Sequence, residues 1–265
     1  GTMGAGIATA ALLSGLPVVM LEMTPEAAEA AKGRISGNLQ GALKRGKIIQ
    51  EQFDHLTGEA LTLATDYDAL SDVYLVIEAV FEEMGVKKEV FGKLDAVCKK
   101  GAILASNTSY LDVNEIAAST SRPEDVIGLH FFSPAHVMKL LEIVVADKTA
   151  LDVVATGFEL GKRLKKISVR AGVCDGFIGN RILSRYRTAP DHMILDGASP
   201  YQIDKAMTDF GFAMGPYQVS DLAGLDIGYA TRQRKAADAH PRDRNPSFAD
   251  ALYHKGWLGQ KTGRG

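Results

Sequence analysis

The sequence has almost no cysteine, which argues against the disulfide frameworks that hold small secreted domains together. Cys98 and Cys174 are the only two in 265 residues, and they lie far apart without metal-ligand spacing. We interpret both as reduced, buried thiols of an intracellular protein. A disulfide between them is the alternative that the sequence leaves open.

A strong net charge and a long apolar run are also absent. The formal net charge at pH 7 is −2, so bulk electrostatics gives no attraction to nucleic acid or to a membrane surface. No apolar run reaches the roughly 20 residues that cross a bilayer, and the first residues do not form a signal peptide. We therefore predict no nucleic-acid partner and no membrane span.

What is present is the composition of a folded protein. Hydrophobic residues make up 46% of the chain and charged residues 23%, close to the average of globular domains, which argues against disorder. A length of 265 residues suits one large domain or two ordinary ones. Because the sequence starts without methionine and inside what looks like a motif, we expect a fragment of a longer protein.

Alternating apolar segments predict an α/β fold for the first two thirds of the chain. β-branched or continuous apolar runs predict strands, and segments with helical apolar spacing predict the helices between them. The predicted strands are residues 17–21, 61–65, 73–80, 102–105, 126–132, 140–145 and 167–169. The predicted helices are residues 3–14, 25–45, 85–97, 113–118 and 149–162. This alternation is typical of a Rossmann-type, mainly parallel sheet.

The pattern changes after Val173. From there the sequence predicts helices at 177–195, 200–209 and 218–230, a polar exposed loop at 238–246, and no further strand. We therefore predict two domains, a Rossmann-type domain at 1–172 and an all-helical domain at 173–265. The apolar helices of the second domain are candidates for dimer or interdomain packing.

The first residues have the features of a dinucleotide-binding turn. Gly1, Thr2, Met3 and Gly4 open a helix whose N–H groups can approach a pyrophosphate closely. Glu22 ends the first predicted strand, where an acid bonds ribose hydroxyls and favours NAD over NADP. The G-x-G-x-x-G pattern lacks its first glycine, and the strand before it is missing. A glycine-rich helix start without a cofactor is therefore the alternative.

Polar residues follow two of the predicted strands. Glu82 comes after strand 73–80, and the cluster 106–109 (Ser-Asn-Thr-Ser) comes after strand 102–105. Ligands bind beyond the carboxyl ends of parallel strands, so we place both on the cofactor side, with Lys87 close by on the next helix. For the serine cluster, a helix cap and turn is the alternative.

A small basic cluster lies at the end of the predicted helix 25–45. It consists of Lys44, Arg45 and Lys47. A solvated helix end that complements the helix dipole explains it adequately. Contact with a phosphorylated handle on the substrate is the alternative.

The stretch GLHFFSPAHVMKLLEIV, residues 128–144, carries a candidate catalytic pair. His130 lies in one apolar run and Glu142 in the next, and antiparallel pairing about Pro134 would bring both to one face. An imidazole oriented by a carboxylate takes a proton at neutral pH, although a satisfied core histidine is the alternative. Beside a nicotinamide cofactor, such a pair predicts alcohol oxidation.

Seven motifs occur in order along the chain, namely GTMGAGIA, IEAVFE, SNTSYL, GLHFFSPAHVMKLLEIV, GFIGNRIL, AMGPYQVSDLAGLDIG and GQKTGRG. Together they resemble the (S)-3-hydroxyacyl-CoA dehydrogenase family over essentially the whole chain. The resemblance implies NAD-dependent oxidation of (S)-3-hydroxyacyl-CoA to 3-oxoacyl-CoA in fatty-acid β-oxidation.

The resemblance also implies roles for individual residues. His130 matches the general base, and Glu142 matches the acid that orients it. Ser109 matches a serine that contacts the substrate oxygen and the nicotinamide side, and Asn180 matches an asparagine that helps to polarise the substrate carbonyl. The implied NAD contacts are Gly1, Thr2, Met3, Gly4, Glu22, Glu82, Lys87, Ser109 and Ser133.

Ser133 indicates a branch of the family, because many single-function members have Asn at this position. The variant HFFSPAH, with VSDLAGLDIG and QKTGRG, looks more like the dehydrogenase part of multifunctional β-oxidation enzymes. This implies an enoyl-CoA hydratase domain upstream, a homodimer or a larger multifunctional chain, and bacterial cytoplasm or, in a eukaryote, the peroxisome.

Three alternatives to this function remain at the level of sequence. They are a monofunctional 3-hydroxybutyryl-CoA dehydrogenase, a β-hydroxyacid dehydrogenase that acts without CoA, and a crystallin-like relative that binds NAD without turnover. We also expect the missing first strand to weaken the folding of this fragment, since that strand would be central in the sheet.

Overall fold

The computed structural model describes residues 1–236, 242, 244 and 247–265. The predicted loop at 238–246 lies outside the described residues, apart from Arg242 and Arg244. Contacts divide the chain into two compact units, Gly1–Asn180 and Arg181–Gly265. The predicted domain boundary between residues 172 and 173 stays a prediction.

The first unit alternates strands and helices, which confirms the predicted α/β class. Its strands are β1 (Val18–Leu21), β2 (Leu61–Ala64), β3 (Leu75–Glu78), β4 (Ile103–Ser106), β5 (Val126–Phe131), β6 (Leu140–Val145) and β7 (Ile167–Gly172). Its helices are α1 (Thr2–Leu13), α2 (Pro25–Lys44), α3 (Gln50–Thr57), α4 (Met84–Val97), α5 (Val113–Ala117) and α6 (Leu151–Arg163). Helix α3 was not predicted, because its sequence QEQFDHLT has few apolar residues at helical spacing.

The seven strands form two sheets that are mainly parallel. Strands β1 and β2 pair in parallel, and β3 to β7 form a second sheet in chain order. Within that second sheet only the pairing of β5 with β6 is antiparallel. The carboxyl ends of β3, β4 and β5 therefore lie at one edge, where ligands bind in sheets of this type.

Helix α2 shows how apolar spacing sets the packing. The Thr24 hydroxyl accepts a hydrogen bond from the Ala27 N–H at 3.2 Å and so caps the helix. The buried residues of α2 recur every three or four positions, at Ala28, Ala31, Ile35, Leu39 and Ala42. They join α1, β1 and β2 in one apolar cluster, which fixes the helix against the two-stranded sheet.

The hairpin of β5 and β6 has the register on which the candidate site depends. His130 lies directly opposite Glu142, and Gly128 lies opposite Val144. A Cβ atom added at Gly128 would be 2.6 Å from the Val144 Cβ, closer than two carbon atoms can pack. Glycine at this position therefore lets the two strands approach in the register that pairs His130 with Glu142.

The second unit is helical in its described residues, as predicted. It contains most of α7 (Gly179–Leu195), then α8 (Pro200–Phe210), α9 (Pro216–Ala223), α10 (Leu225–Lys235) and α11 (Phe248–His254). The single helix predicted at 218–230 was wrong, because Gly224 adopts a φ of 107° and separates α9 from α10. Helix α7 begins two residues later than predicted, since Phe177 has a φ of 46°. None of the helices among the described residues is long and apolar enough to cross a membrane.

Candidate active site

The centre of the candidate site is the pair formed by His130 on β5 and Glu142 on β6. The imidazole Nδ1 and the carboxylate Oε2 are 2.6 Å apart. Exposure is 3% for His130 and 1% for Glu142. Since a carboxylate only accepts hydrogen bonds, Nδ1 carries the proton of this contact, and in a neutral ring Nε2 is then the nitrogen with a lone pair. The predicted antiparallel pairing is confirmed, and it leaves the imidazole in the tautomer that a general base requires.

The second oxygen of Glu142 is held by the chain that leads into α7. Oε1 accepts hydrogen bonds from the backbone N–H groups of Ile178 and Gly179, at 3.0 and 2.7 Å. Burial would by itself raise the pKa of this carboxyl. The hydrogen bonds with His130, Gly179 and Ile178 outweigh burial, and the pKa of Glu142 is lowered. Glu142 is thus a carboxylate at neutral pH, although it is buried.

Two phenylalanines enclose the imidazole. The ring centroids of Phe132 and Phe177 lie 4.5 and 5.6 Å from that of His130. A Cβ atom added at Gly179 would lie 2.8 Å from the Phe132 ring, so glycine is needed for this close approach. The apolar walls exclude water from the pair, which strengthens the His130–Glu142 interaction.

The serine-containing loop after β4 is fastened by Glu82. One oxygen of Glu82 accepts hydrogen bonds from the Thr108 hydroxyl and from the N–H groups of Ser109 and Tyr110, at 2.6, 2.7 and 3.0 Å. The Asn107 side-chain oxygen accepts the Phe131 N–H at 2.8 Å, so the same loop is tied to the strand that carries His130. The sequence placed Glu82 and Ser109 on one side of the sheet, but it did not reveal this bond between them.

Lys87 lies behind Glu82 in a buried charge network. Its ammonium is 2.8 Å from Glu78 Oε1 and 3.5 Å from Glu82 Oε2, and its side chain is 1% exposed. Glu78 also accepts the Ser106 hydroxyl at 2.7 Å and the Val80 N–H at 2.6 Å. Sequence analysis did not assign Glu78, although an acid at the end of a buried apolar strand is itself a signal of pairing. The network joins the carboxyl ends of β3 and β4.

The predicted cofactor residues lie at the N-terminus of α1 and at the end of β1. Gly1 is the N-cap of α1, and its backbone nitrogen lies 2.7 Å from Glu22 Oε1. Thr2, Met3 and Gly4 form the first turn, which carries no acidic side chain. A large cavity reaches this point, and Gly1 to Gly4 and Glu22 are among the residues that line it. A helix N-terminus open to a cavity fits a pyrophosphate, and the adjacent carboxylate fits a ribose.

Two further predicted residues lie at the edges of this region. Ser133 is exposed in the connection between β5 and β6. Asn180 is half-buried in the first turn of α7, next to the Gly179 N–H that holds Glu142. The structure therefore brings His130, Glu142 and the start of α7 together directly. The roles of Ser133 and Asn180 stay predictions.

The basic cluster extends further than the sequence indicated. Burial lowers the pKa of His136, and the charges of Arg45, Lys166 and Lys47 lower it further. Lys166 donates hydrogen bonds to the backbone oxygens of Ala135 and Met138, at 2.5 and 2.7 Å. The charges of Arg45, Lys47 and Lys166 thus all act on His136, although Lys166 is remote in sequence. The contact with a phosphorylated substrate handle stays a prediction.

The fold and the site together define a dinucleotide-binding α/β protein with a histidine–carboxylate pair suited to proton transfer. Residues 1–174 match the family model of the 3-hydroxyacyl-CoA dehydrogenase NAD-binding domain, and residues 176–265 match that of the C-terminal domain. The chain belongs to the 3-hydroxyacyl-CoA dehydrogenase family, which confirms the resemblance drawn from the seven motifs. The cofactor of its first domain is NAD.

Several known proteins are similar to this chain. It is 44% identical to the peroxisomal bifunctional enzyme of Cavia porcellus, covering 100% of this chain and 38% of that protein. It is 42% identical to the peroxisomal fatty acid beta-oxidation multifunctional protein MFP2 of Arabidopsis thaliana, and the match covers 87% of this chain and 32% of that protein. Among solved structures, (S)-3-hydroxybutyryl-CoA dehydrogenase PaaH1 from Ralstonia eutropha has a TM-score of 0.90 and 32% identity. The match covers 100% of this chain and 94% of that structure's chain. The chain spans less than two fifths of the length of these two curated relatives.

Proposed function

We propose that this chain oxidises the C3 hydroxyl of an (S)-3-hydroxyacyl-CoA to a ketone in fatty-acid β-oxidation. The observation that carries the proposal is the buried contact of 2.6 Å between His130 Nδ1 and Glu142 Oε2. Family membership supports the substrate class, and the names of the curated relatives support the β-oxidation setting.

In the mechanism we propose, His130 removes the hydroxyl proton through Nε2. Glu142 keeps the proton on Nδ1 and stabilises the imidazolium that forms, because it remains a carboxylate at the working pH. Ser109 and Asn180 bind the substrate oxygen as negative charge develops on it. NAD, held by the first turn of α1 and by Glu22, would supply the acceptor for the hydride from C3. The phenyl rings beside His130 keep water away from the reacting atoms.

The same proposal assigns residues to the cofactor. The first turn of α1, from Gly1 to Gly4, holds the pyrophosphate, and Glu22 binds ribose hydroxyls. The 38% exposure of the Glu82 side chain and its bond to Ser109 support a contact with the nicotinamide side. The burial of Lys87 supports a role that acts through Glu82. Ser133 completes the proposed cofactor contacts.

Assembly and compartment form a second part of the proposal. Exposed apolar side chains in the second unit support a homodimer or packing within a longer multifunctional chain, namely Ile182, Met193, Tyr201, Phe210, Leu222 and Ile227. Peroxisomal relatives support the peroxisomal alternative over bacterial cytoplasm. Light scattering of the purified chain tests the first point, because a monomer at micromolar concentration contradicts the homodimer.

The function is tested by incubating the chain with NAD and (S)-3-hydroxybutyryl-CoA and following NADH absorbance. We expect turnover with the CoA thioester, in both directions, and little with free 3-hydroxybutyrate. Equal turnover of the free acid would favour a β-hydroxyacid dehydrogenase that acts without CoA. NAD binding without turnover of any 3-hydroxyacyl-CoA would favour the crystallin-like alternative. A series of acyl-chain lengths then separates a hydroxybutyryl-CoA specialist from an enzyme of wider range.

A further inference from the structure

A closed ring of hydrogen bonds and ion pairs lies behind the loop that carries Ser109. The Ser106 hydroxyl donates to Glu78 Oε2 at 2.7 Å and accepts the Thr108 N–H at 3.2 Å. The Thr108 hydroxyl donates to Glu82 Oε1 at 2.6 Å. An ammonium group closes the ring between the two carboxylates, at 2.8 Å from Glu78 and 3.5 Å from Glu82. The members of this buried ring are Glu78, Glu82, Lys87, Ser106 and Thr108.

The chemistry of each group fixes the direction of the bonds in the buried ring. A carboxylate only accepts hydrogen bonds, so each hydroxyl donates its one proton to a glutamate. The lone pairs of Ser106 are then free to accept the Thr108 N–H, and those of Thr108 accept the Leu111 N–H at 2.9 Å. Exposure is 0% for Ser106 and Thr108 and 4% for Glu78. Rotation of either hydroxyl would leave a buried polar group without a partner, which is costly, so the ring holds one arrangement.

Glu82 transmits this arrangement to Ser109. The oxygen that accepts the Thr108 hydroxyl also accepts the N–H groups of Ser109 and Tyr110, at 2.7 and 3.0 Å. One carboxylate oxygen therefore holds three consecutive residues of the loop. The backbone of Ser109 is fixed by the same atom that receives the last hydroxyl of the ring.

Asn107 ties the loop to the strand that carries His130. Its backbone N–H donates to the Glu78 carbonyl oxygen at 2.8 Å. Its side-chain oxygen accepts the N–H of Phe131, the residue after His130 on β5, at 2.8 Å. The loop is thus attached to the buried ring on one side and to the catalytic strand on the other. The position of Ser109 relative to His130 depends on both attachments.

We propose that Glu78 and Ser106 are positioning residues for the oxidation of the substrate hydroxyl. Acting through Thr108 and Glu82, they hold Ser109 where it contacts the substrate oxygen. This inference rests on the proposed function, which assigns that contact to Ser109. A misplacement of about 1 Å near the reacting atoms can slow catalysis by up to ~10²-fold. We therefore expect an interruption of the buried ring to lower kcat roughly tenfold.

The test is a double-variant cycle of Ser106→Ala and Ser109→Ala, with kcat measured from the oxidation of NADH with acetoacetyl-CoA. Ser106→Ala removes a hydroxyl and no charge, so it interrupts the ring and leaves the ion pairs in place. We expect kcat to fall about tenfold, with little change in KM for either substrate or in the pH profile of kcat/KM. In the Ser109→Ala background, Ser106→Ala should change kcat by less than about twofold, because the hydroxyl that the ring positions is gone.

Two further variants separate positioning from a general loss of packing. Thr108→Val interrupts the ring at its other hydroxyl and keeps the shape of the side chain. It should lower kcat as Ser106→Ala does and add little to it, and it carries the same prediction if Ser106→Ala does not fold. The matched control is Ser220→Ala, which removes a buried hydroxyl that donates to the Pro216 carbonyl oxygen at 2.8 Å within α9. The control should leave kcat unchanged.

The outcomes distinguish this inference from the proposed function. Equal losses of kcat from Ser106→Ala with and without the Ser109 hydroxyl would overturn the inference, because the ring would then act independently of Ser109. Parent-like kcat in both Ser106→Ala and Thr108→Val would overturn it too. A parent-like kcat in Ser109→Ala would overturn the inference and leave the dehydrogenase function intact. A parent chain that turns over no 3-hydroxyacyl-CoA would overturn both.

Discussion

Substituting Glu142 by glutamine removes one charge and keeps the shape of the side chain. Glu142 accepts three hydrogen bonds, one from His130 Nδ1 and two from the N–H groups of Ile178 and Gly179. A glutamine side chain has one oxygen acceptor and one NH₂ donor. It therefore cannot satisfy all three donors in either orientation.

The two orientations of the glutamine have different consequences. With its oxygen toward Ile178 and Gly179, the NH₂ group faces His130 and moves the imidazole proton to Nε2, so the base is lost. With its oxygen toward His130, two buried backbone N–H groups face an NH₂ group, at a cost of about 1–3 kcal/mol. We expect the first orientation and a fall in kcat of ~10²–10⁴, the usual contribution of general acid–base catalysis.

The assay is the oxidation of NADH with acetoacetyl-CoA, together with NADH binding measured by fluorescence on the same samples. We expect Glu142→Gln to bind NADH as the parent does and to lose turnover. The matched control is Glu29→Gln, an exposed acid on α2, which should leave both quantities unchanged. A Glu142→Gln chain that keeps more than a tenth of the parent kcat would refute the reasoning.

Three further predictions concern stability and can be checked by denaturant unfolding. Gly128→Ala should lower the free energy of unfolding by about 1–3 kcal/mol, because its Cβ would lie 2.6 Å from that of Val144. Lys87→Met should cost about 3–5 kcal/mol, since it leaves the Glu78 carboxylate buried without its cation, and the double variant Lys87→Met/Glu78→Gln should lose less. The pKa of Glu142 is lowered in the folded protein, so its ionised form stabilises the folded state. This stabilisation is complete above the ordinary glutamate pKa of about 4.3, and it is lost progressively as the pH falls through the lowered pKa. The stability difference between the parent and Glu142→Gln should therefore shrink below about pH 4, and a constant difference down to acid denaturation would contradict this.

The catalytic pair could be predicted because its signals are local. Two apolar runs separated by a short turn indicate a hairpin, and a charged residue within such a run needs a partner. The register of the hairpin was left open at the level of sequence, because Met138 and Lys139 also lie between the two runs. The structure supplies it, with His130 directly opposite Glu142. The alternation of strands and helices was equally local, since each element carries its own periodicity.

The interactions that the sequence could not reveal are those between distant residues. Glu82 and Ser109 are both polar residues after a strand, and either could face solvent. Their bond depends on how β3 and β4 lie side by side. The burial of Lys87 is unexpected for the same reason, since nothing in the sequence of its helix indicates that Lys87 pairs with Glu78. The break at Gly224 depends on one backbone angle, and a glycine within a helical pattern does not by itself end a helix.

The central claim is that His130 is the general base, and His130→Gln tests it most directly. Glutamine retains the polarity of the position but cannot take a proton at neutral pH. Single-turnover oxidation of (S)-3-hydroxybutyryl-CoA should slow by ~10²–10⁴, while the Kd for NAD and the midpoint of unfolding change little. Parent-like turnover by His130→Gln, in a sample that is folded and binds NAD, would contradict the account.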